Sequence, residues 1–286
     1  MRSLLAYLVF RLGVGVVGLL PLRLAIMLGS LGGRLAGPLM KGRWEMVKRH
    51  AGRLGVPDHE ARSHAGKVFA AYGRYWAEAF WVRPARRAEI EATTSVVGLQ
   101  YLSAAQERGK GIVVALPHVG NWEFAGPVAG GLDLELVAVA ENLANHHIRD
   151  WFVTLRGRMG IGVVLAKGSV MRELEAVVRR NGAVALLCDR DLRRRGIEVE
   201  FFGEKTTLPA GPVRLALETG AALLPVASYF LGRGHLVQVE PPIELRADTT
   251  IEEGTRLLAA ALERLIRADP AQWHLLQPNW PSDREA

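Results

Sequence analysis

From about residue 95 onward, short apolar runs alternate with longer segments whose apolar positions fall at helical spacing. Runs at 111–116, 134–140, 162–165, 183–188, 197–202, 222–227 and 235–240 read as strands. Several are apolar throughout, as strands covered on both faces are. Between them, 121–130, 145–159, 169–180, 209–219 and 252–268 read as helices. This alternation predicts an α/β fold with a largely parallel central sheet flanked by helices. Upstream, 42–85 is helical in pattern, with Phe69, Tyr72, Trp76 and Phe80 at helical spacing and Pro84 closing the region. An aromatic stripe of that kind is ordinarily core. No repeat or Pro/Ser-rich linker interrupts the chain. The expected organisation is therefore a helical N-terminal extension over 1–90 and one α/β domain over 91–286.

The first 40 residues change this picture. They are rich in Leu, Val and Gly, but Arg2, Arg11, Arg23 and Arg34 punctuate them. The charge-free stretch from Leu12 to Leu22 is too short to span a bilayer. An apolar segment broken by arginines is expected to lie in or against a membrane face, making residues 1–40 a membrane-associating extension. The alternative is a buried helix pair. Overall composition agrees: 286 residues, 49% hydrophobic, with a formal net charge of +7. A chain both basic and apolar suits an anionic membrane surface. It has no zinc-finger spacing, RNP-type aromatic motif or compact basic recognition helix, so no nucleic-acid partner is expected. The single cysteine, Cys188, excludes an internal disulfide and a cysteine-based metal site, and its apolar run marks it as a buried strand thiol.

The chemistry concentrates where strands end. The run 111–116 leads into Pro117-His118-Val119-Gly120-Asn121-Trp122-Glu123. Ligands of open α/β sheets bind at the carboxyl ends of strands. His118 there is a candidate base, with Glu123 as the carboxylate that orients it. No Gly-x-Ser-x-Gly nucleophile motif accompanies the pair, so the expected target of the base is a substrate hydroxyl. Asn121 has a plainer reading as a helix cap. Two further acids follow strands in the same manner, Glu141 and Asp189, and Asp189 is placed to face His118 across the sheet edge. Arg190 offers a planar, forked donor for a phosphate or a developing oxyanion. Arg193, Arg194 and Arg195 form a basic loop suited to phosphates, or simply a solvated turn. His146 and His147 are adjacent and lack metal-ligand spacing, so no metal site is expected.

These elements occur in a specific order. The His118…Glu123 pair is followed by Asp189-Arg190-Asp191, then by Phe201-Phe202-Gly203 leading to Pro209-Ala210-Gly211-Pro212. The chain closes with Gln272-Trp273-His274-Leu275-Leu276-Gln277-Pro278-Asn279-Trp280-Pro281. Together with Tyr75-Trp76-Ala77-Glu78-Ala79-Phe80, the set resembles the lipid A biosynthesis lauroyl/myristoyl acyltransferase family over nearly the whole chain. It looks most like the actinobacterial branch, the phosphatidylinositol mannoside acyltransferases.

The resemblance implies a peripheral enzyme on the cytoplasmic face of the cell membrane. Its reaction would move a fatty acyl group, by analogy palmitoyl, from acyl-CoA to a mannose hydroxyl of a mannosylated phosphatidylinositol. No cofactor is implied; acyl-CoA is a co-substrate. By resemblance His118 matches the catalytic histidine and Glu123 its acidic partner, where many members carry Asp. Glu141 and Asp189 match acids that handle the sugar. The amides near Gly120, or Arg190, are the candidates for oxyanion stabilisation, and Arg193–Arg195 would take a substrate phosphate. The competing expectations are another glycolipid or glycerophosphate acyltransferase, a thioesterase-like hydrolase using the same base, and a non-catalytic membrane-surface protein.

Overall fold

A computed structural model of the chain describes residues 2–126, 133–140, 144–166, 170–191 and 194–284. Five helices precede the first strand: α1 (Arg2–Leu19), α2 (Leu22–Ala36), α3 (Lys41–Arg53), α4 (Asp58–Trp81) and α5 (Arg87–Ala92). Then follow β1 (Thr94–Val97), α6 (Leu99–Glu107), β2 (Ile112–Leu116), β3 (Leu136–Ala140), α7 (His146–Arg158) and β4 (Ile161–Leu165). The chain continues through α8 (Val170–Arg179), β5 (Ala183–Leu187), β6 (Ile197–Phe201), β7 (Glu204–Leu208) and α9 (Gly211–Thr219). It closes with β8 (Ala222–Leu231), β9 (Gly234–Val239) and α10 (Ile251–Ala268).

Seven strands form one sheet in the order β1-β9-β8-β2-β5-β3-β4. Every neighbouring pair is parallel except β8 with β9. The α/β class and the mostly parallel, helix-flanked sheet are as the alternation predicts. Alternate residues face opposite sides, so β2 serves two cores. Val113 and Ala115 pack with Leu174 of α8, Val213 of α9 and Leu258 of α10. Ile112 and Leu116 pack with Leu102 of α6 on the other face.

The departures have physical causes. Residues 197–202 do not join the main sheet. β6 pairs antiparallel with β7 in a separate two-stranded unit, and its alternating burial shows one face against α10 and one in solvent. β1, β7 and α6 are short and escaped the pattern. The helix expected over 121–130 begins as a short 3₁₀ turn, Trp122–Phe124, capped by the Asn121 side chain accepting from the Glu123 amide; residues 127–130 lie outside the described residues.

α2 crosses α4 with backbones nearly touching. A Cβ on Gly33 would fall 2.1 Å from the Phe69 carbonyl oxygen, and one on Gly73 2.1 Å from that of Gly29. α1 and α2 nevertheless leave much apolar surface uncovered: Leu5, Leu12, Leu19 and Leu35 are all more exposed than buried. Among the described residues no helix is long and apolar enough to cross a membrane.

Candidate active site

Register places the two central side chains. β2 and β5 are parallel neighbours, with Leu116 opposite Leu187. Two residues beyond each stands His118 on one side and Asp189 on the other, so the pair faces across the sheet edge. His118 Nδ1 lies 2.6 Å from Asp189 Oδ1, and the His118 backbone amide donates to Asp189 Oδ2 at 3.0 Å. The Trp273 indole also donates to Oδ2 at 2.8 Å. Asp189 is fully buried, and burial alone would raise its carboxyl; the facing His118 ring and these donated hydrogen bonds outweigh it and hold the group below its ordinary value. An ionised carboxylate has no proton to give, so Nδ1 carries the hydrogen and Nε2 is left as the basic nitrogen. The His118 side chain is 20% exposed.

Glu123 does not orient His118, which corrects the expectation from spacing. The turn at Trp122–Phe124 carries its carboxylate toward α7, where Arg156 Nε donates to Oε2 at 3.0 Å and Arg156 Nη2 to Oε1. Burial opposes the Arg156 charge, and the Glu123 carboxylate more than restores it. Trp122, Glu123 and Arg156 border an apolar cavity of about 110 Å³ on the α6 side of the sheet. Its wall runs down alternate residues of β5, from Leu187 through Ala185 to Ala183, a depth of about 13 Å at ~3.3 Å per residue. His118 and Asp189 continue the same parity at the carboxyl end of this wall.

The loop bearing His118 is tied down from three sides. The Gly120 amide donates to the Gln272 carbonyl, the Asn121 amide to the Ser228 carbonyl, and the His274 amide to the His118 carbonyl. Gly120 sits at φ 58, and any Cβ there would lie 1.9 Å from the Ser228 carbonyl oxygen, so only glycine fits. With the Val119 amide turned onto Pro117, the amides of Val119, Gly120 and Asn121 are all committed within the protein. They are poor oxyanion donors, which leaves Arg190 as the remaining candidate from the sequence.

Beneath the loop, Glu78 of α4 accepts from Arg74 Nε at 2.7 Å, Asn121 Nδ2 at 2.9 Å and His235 Nε2 at 2.9 Å. Asn121 therefore caps the turn and also ties it to α4. His274 is buried among Tyr72, Tyr75, Trp122 and Phe230. Burial, then the His118 charge, push its pKa down to about 3, so it is a neutral imidazole.

The other expected site residues divide. Arg190 follows Asp189 at the same edge and is half-buried. Arg194 is exposed and lines a separate cleft with Asp191, Thr207 and Arg284; Arg195 is exposed beside it. Glu141 and Arg193 lie outside the described residues. Among the described residues no cluster of metal-ligating side chains occurs. Sequence reasoning missed Arg156, which carried no signal beyond its place in a helix, and gave no role to Trp273, His274 and Glu78, though all three stand in the motifs quoted above.

The fold and this edge define a class. The chain matches the bacterial lipid A biosynthesis acyltransferase family over residues 2–282 and belongs to that family. Within it, the chain is similar to a phosphatidylinositol mannoside acyltransferase of Mycobacterium tuberculosis, 39% identical over 218 residues, covering 74% of this chain and 69% of the relative. The protein of the same name from Mycolicibacterium smegmatis is 36% identical over 251 residues, 84% and 80% of the two chains. The Escherichia coli lipid A biosynthesis palmitoleoyltransferase is 27% identical over 276 residues, 91% and 87% of the two chains.

Proposed function

We propose that this acyltransferase moves a fatty acyl group, palmitoyl by analogy, from acyl-CoA to a mannose hydroxyl of a phosphatidylinositol mannoside, working at the cytoplasmic face of the cell membrane. The observation that carries this reading is His118, its Nδ1 tied to buried Asp189 and its other nitrogen left basic, two residues beyond Leu116 and 5.5 Å from the Trp122 ring, both of which line the apolar cavity. The similarity to proteins named for that acceptor supports the substrate class.

In this mechanism His118 Nε2 takes the proton of the mannose hydroxyl as its oxygen attacks the thioester carbonyl. Asp189 keeps the ring in the required tautomer and stabilises the imidazolium. The tetrahedral intermediate collapses, the C–S bond breaks, and the departing thiolate takes the proton from His118. Base and acceptor suffice, so no acyl-enzyme forms. The apolar cavity holds the acyl chain, and each buried methylene contributes about 0.8 kcal/mol. Glu123 acts by fixing Arg156 at the cavity mouth. Arg190 faces the developing oxyanion, while Glu141 and the Arg193–Arg195 loop meet sugar hydroxyls and phosphate. The exposed leucines of α1 and α2 rest in the anionic leaflet.

Incubation with labelled acyl-CoA and defined mannosides, read by mass spectrometry, tests the reaction. Acylated mannoside should appear, and His118→Ala should reduce turnover by about two to four orders of magnitude. Thioester consumption that ignores the acceptor would instead mark a hydrolase, and activity within about tenfold of wild type in the His118 variant would remove the base.

A further inference from the structure

A second cleft, away from His118, has the chemistry of an anion site. It lies between α1, the end of α4 and α7, with a volume of about 570 Å³. Arg11, Arg83 and Arg158 reach it from three separate parts of the chain, together with Tyr7, His147 and Trp151. None of the three arginines pairs with a carboxylate among the described residues. Among the described residues the one acid that lines it, Asp150, is held by Arg149 at 2.7 Å.

The cations are crowded. Arg83 lies so close to the α1 backbone that a Cβ on Gly18 would fall 1.6 Å from its Nη2. Arg86 next to it donates to the Trp81 and Gly18 carbonyls, and its pKa is lowered by burial and then by the Arg83 charge. Glu89 offsets the charge on Arg86 in part, but Arg11, Arg83 and Arg158 outnumber the single lining acid Asp150 among the described residues, which leaves a positive local potential for an anion. Position matters as much. Tyr7, Arg11, Val14 and Gly15 line the cleft along one side of α1, while Leu5, Leu8, Leu12 and Leu19 on the adjoining side are exposed. Tyr7 stacks on His147 at 5.1 Å, and Tyr and Trp are the side chains that suit the level of lipid headgroups.

We propose that this cleft binds the phosphodiester headgroup of an anionic bilayer lipid, with the planar guanidinium groups gripping the phosphate oxygens. The site rests on the reading of α1 and α2 as bilayer-facing, and it adds a specific lipid ligand to that reading.

The test measures binding of the full chain to phosphatidylcholine vesicles with and without phosphatidylinositol. Arg11→Gln/Arg158→Gln is compared with Arg62→Gln/Arg256→Gln, which removes the same charge from exposed positions outside the cleft. The cleft pair should lose about thirtyfold in affinity for the anionic vesicles, and the control pair less than about threefold. Both pairs should keep wild-type binding to neutral vesicles. Calorimetric titration with glycerophosphoinositol should give a site that the cleft pair abolishes. Equal losses in the two pairs would reduce the effect to net charge and overturn the proposal. Binding of inorganic phosphate alone, with no vesicle effect, would also overturn it. Wild type indifferent to phosphatidylinositol removes the site but keeps apolar docking, whereas wild type that binds neither vesicle removes both.

Discussion

Asp189 and Glu123 are both buried carboxylates beside the same loop, and their partners separate their roles. Asp189 faces the His118 ring, so Asp189→Asn places an amide donor where the Nδ1 hydrogen should go and forces the proton onto Nε2. Turnover should fall by about 10² to 10⁴ with the fold intact, as judged by steady-state kinetics beside a thermal melt. Glu123→Gln leaves Arg156 buried without its counter-charge, which costs about 3–5 kcal/mol when a buried pair is broken from one side. Denaturant melts should show that loss, and adding Arg156→Met should restore part of it; an unchanged midpoint for Glu123→Gln would show that the pair contributes no stability. His274 supplies a pH signature. Folded, it titrates at about 3; unfolded, at its ordinary 6.5. Between those values the unfolded chain binds the extra proton, so stability falls as pH drops below about 6.5, by ~1.4 kcal/mol per unit at most. His274→Phe keeps the aromatic contacts and should flatten the dependence of melting temperature on pH between about 6 and 4.

At the scale of elements, the C-terminal segment acts as a strap across the sheet edge that carries His118 and Asp189. Gln272, Trp273 and His274 bond respectively to the Gly120 amide, Asp189 and the His118 carbonyl. Farther along, Asn279 donates to the Asp189 carbonyl at 3.2 Å and Trp280 to the Phe201 carbonyl at 3.1 Å. This accounts for a polar and aromatic motif at the end of the chain: its side chains finish a site that two central strands begin. The α2–α4 crossing is a second such device. Gly29, Gly33 and Gly73 let two helices meet backbone to backbone; the atoms nearest Gly33 and Gly73 are carbonyl oxygens that cannot swing aside, and Gly29 faces the Ala77 Cβ and the Gly73 carbonyl. Gly33→Ala, elsewhere in a helix a stabilising change, should here cost about 1–3 kcal/mol through overpacking, seen as a lower melting temperature.

The whole molecule presents two unlike surfaces. One is the ordinary polar exterior of an α/β protein. The other is the outer side of α1 and α2, where large apolar side chains stand in solvent. Removing residues 1–40 outright would strip α2 from α4, so point changes are the cleaner probe of membrane docking. Leu8→Ser/Leu12→Ser/Val16→Ser alters side chains 56%, 68% and 53% exposed, and so should leave the melting temperature within a degree or so. Binding to neutral vesicles should fall by about two orders of magnitude or more, because each buried aliphatic side chain contributes roughly 1.5–3 kcal/mol. Vesicle sedimentation that does not change would place these residues away from the bilayer.

Much of this was legible along the chain. Apolar runs and helical spacing fix the α/β class because burial of a sheet on both faces leaves a one-dimensional record, and His118 and Asp189 announce themselves by following such runs. The partner of His118 was legible only in part: Asp189 stood as an acid facing it across the sheet edge, but the orienting role was read onto Glu123. Spacing favoured Glu123, five positions away, whereas register brought Asp189 from seventy-one positions away, since pairing of β2 with β5 is a long-range choice that leaves no mark within either strand. Nor could the sequence show that β6 leaves the sheet for a hairpin, that Arg156 would turn to Glu123, or that the motif at the chain end would close over the site. Each depends on which surfaces meet once the layers pack, and local propensity carries no information about that. The sequence by itself determined the layers and the kinds of residue at the sheet edge; tertiary packing alone decided which of those residues touch.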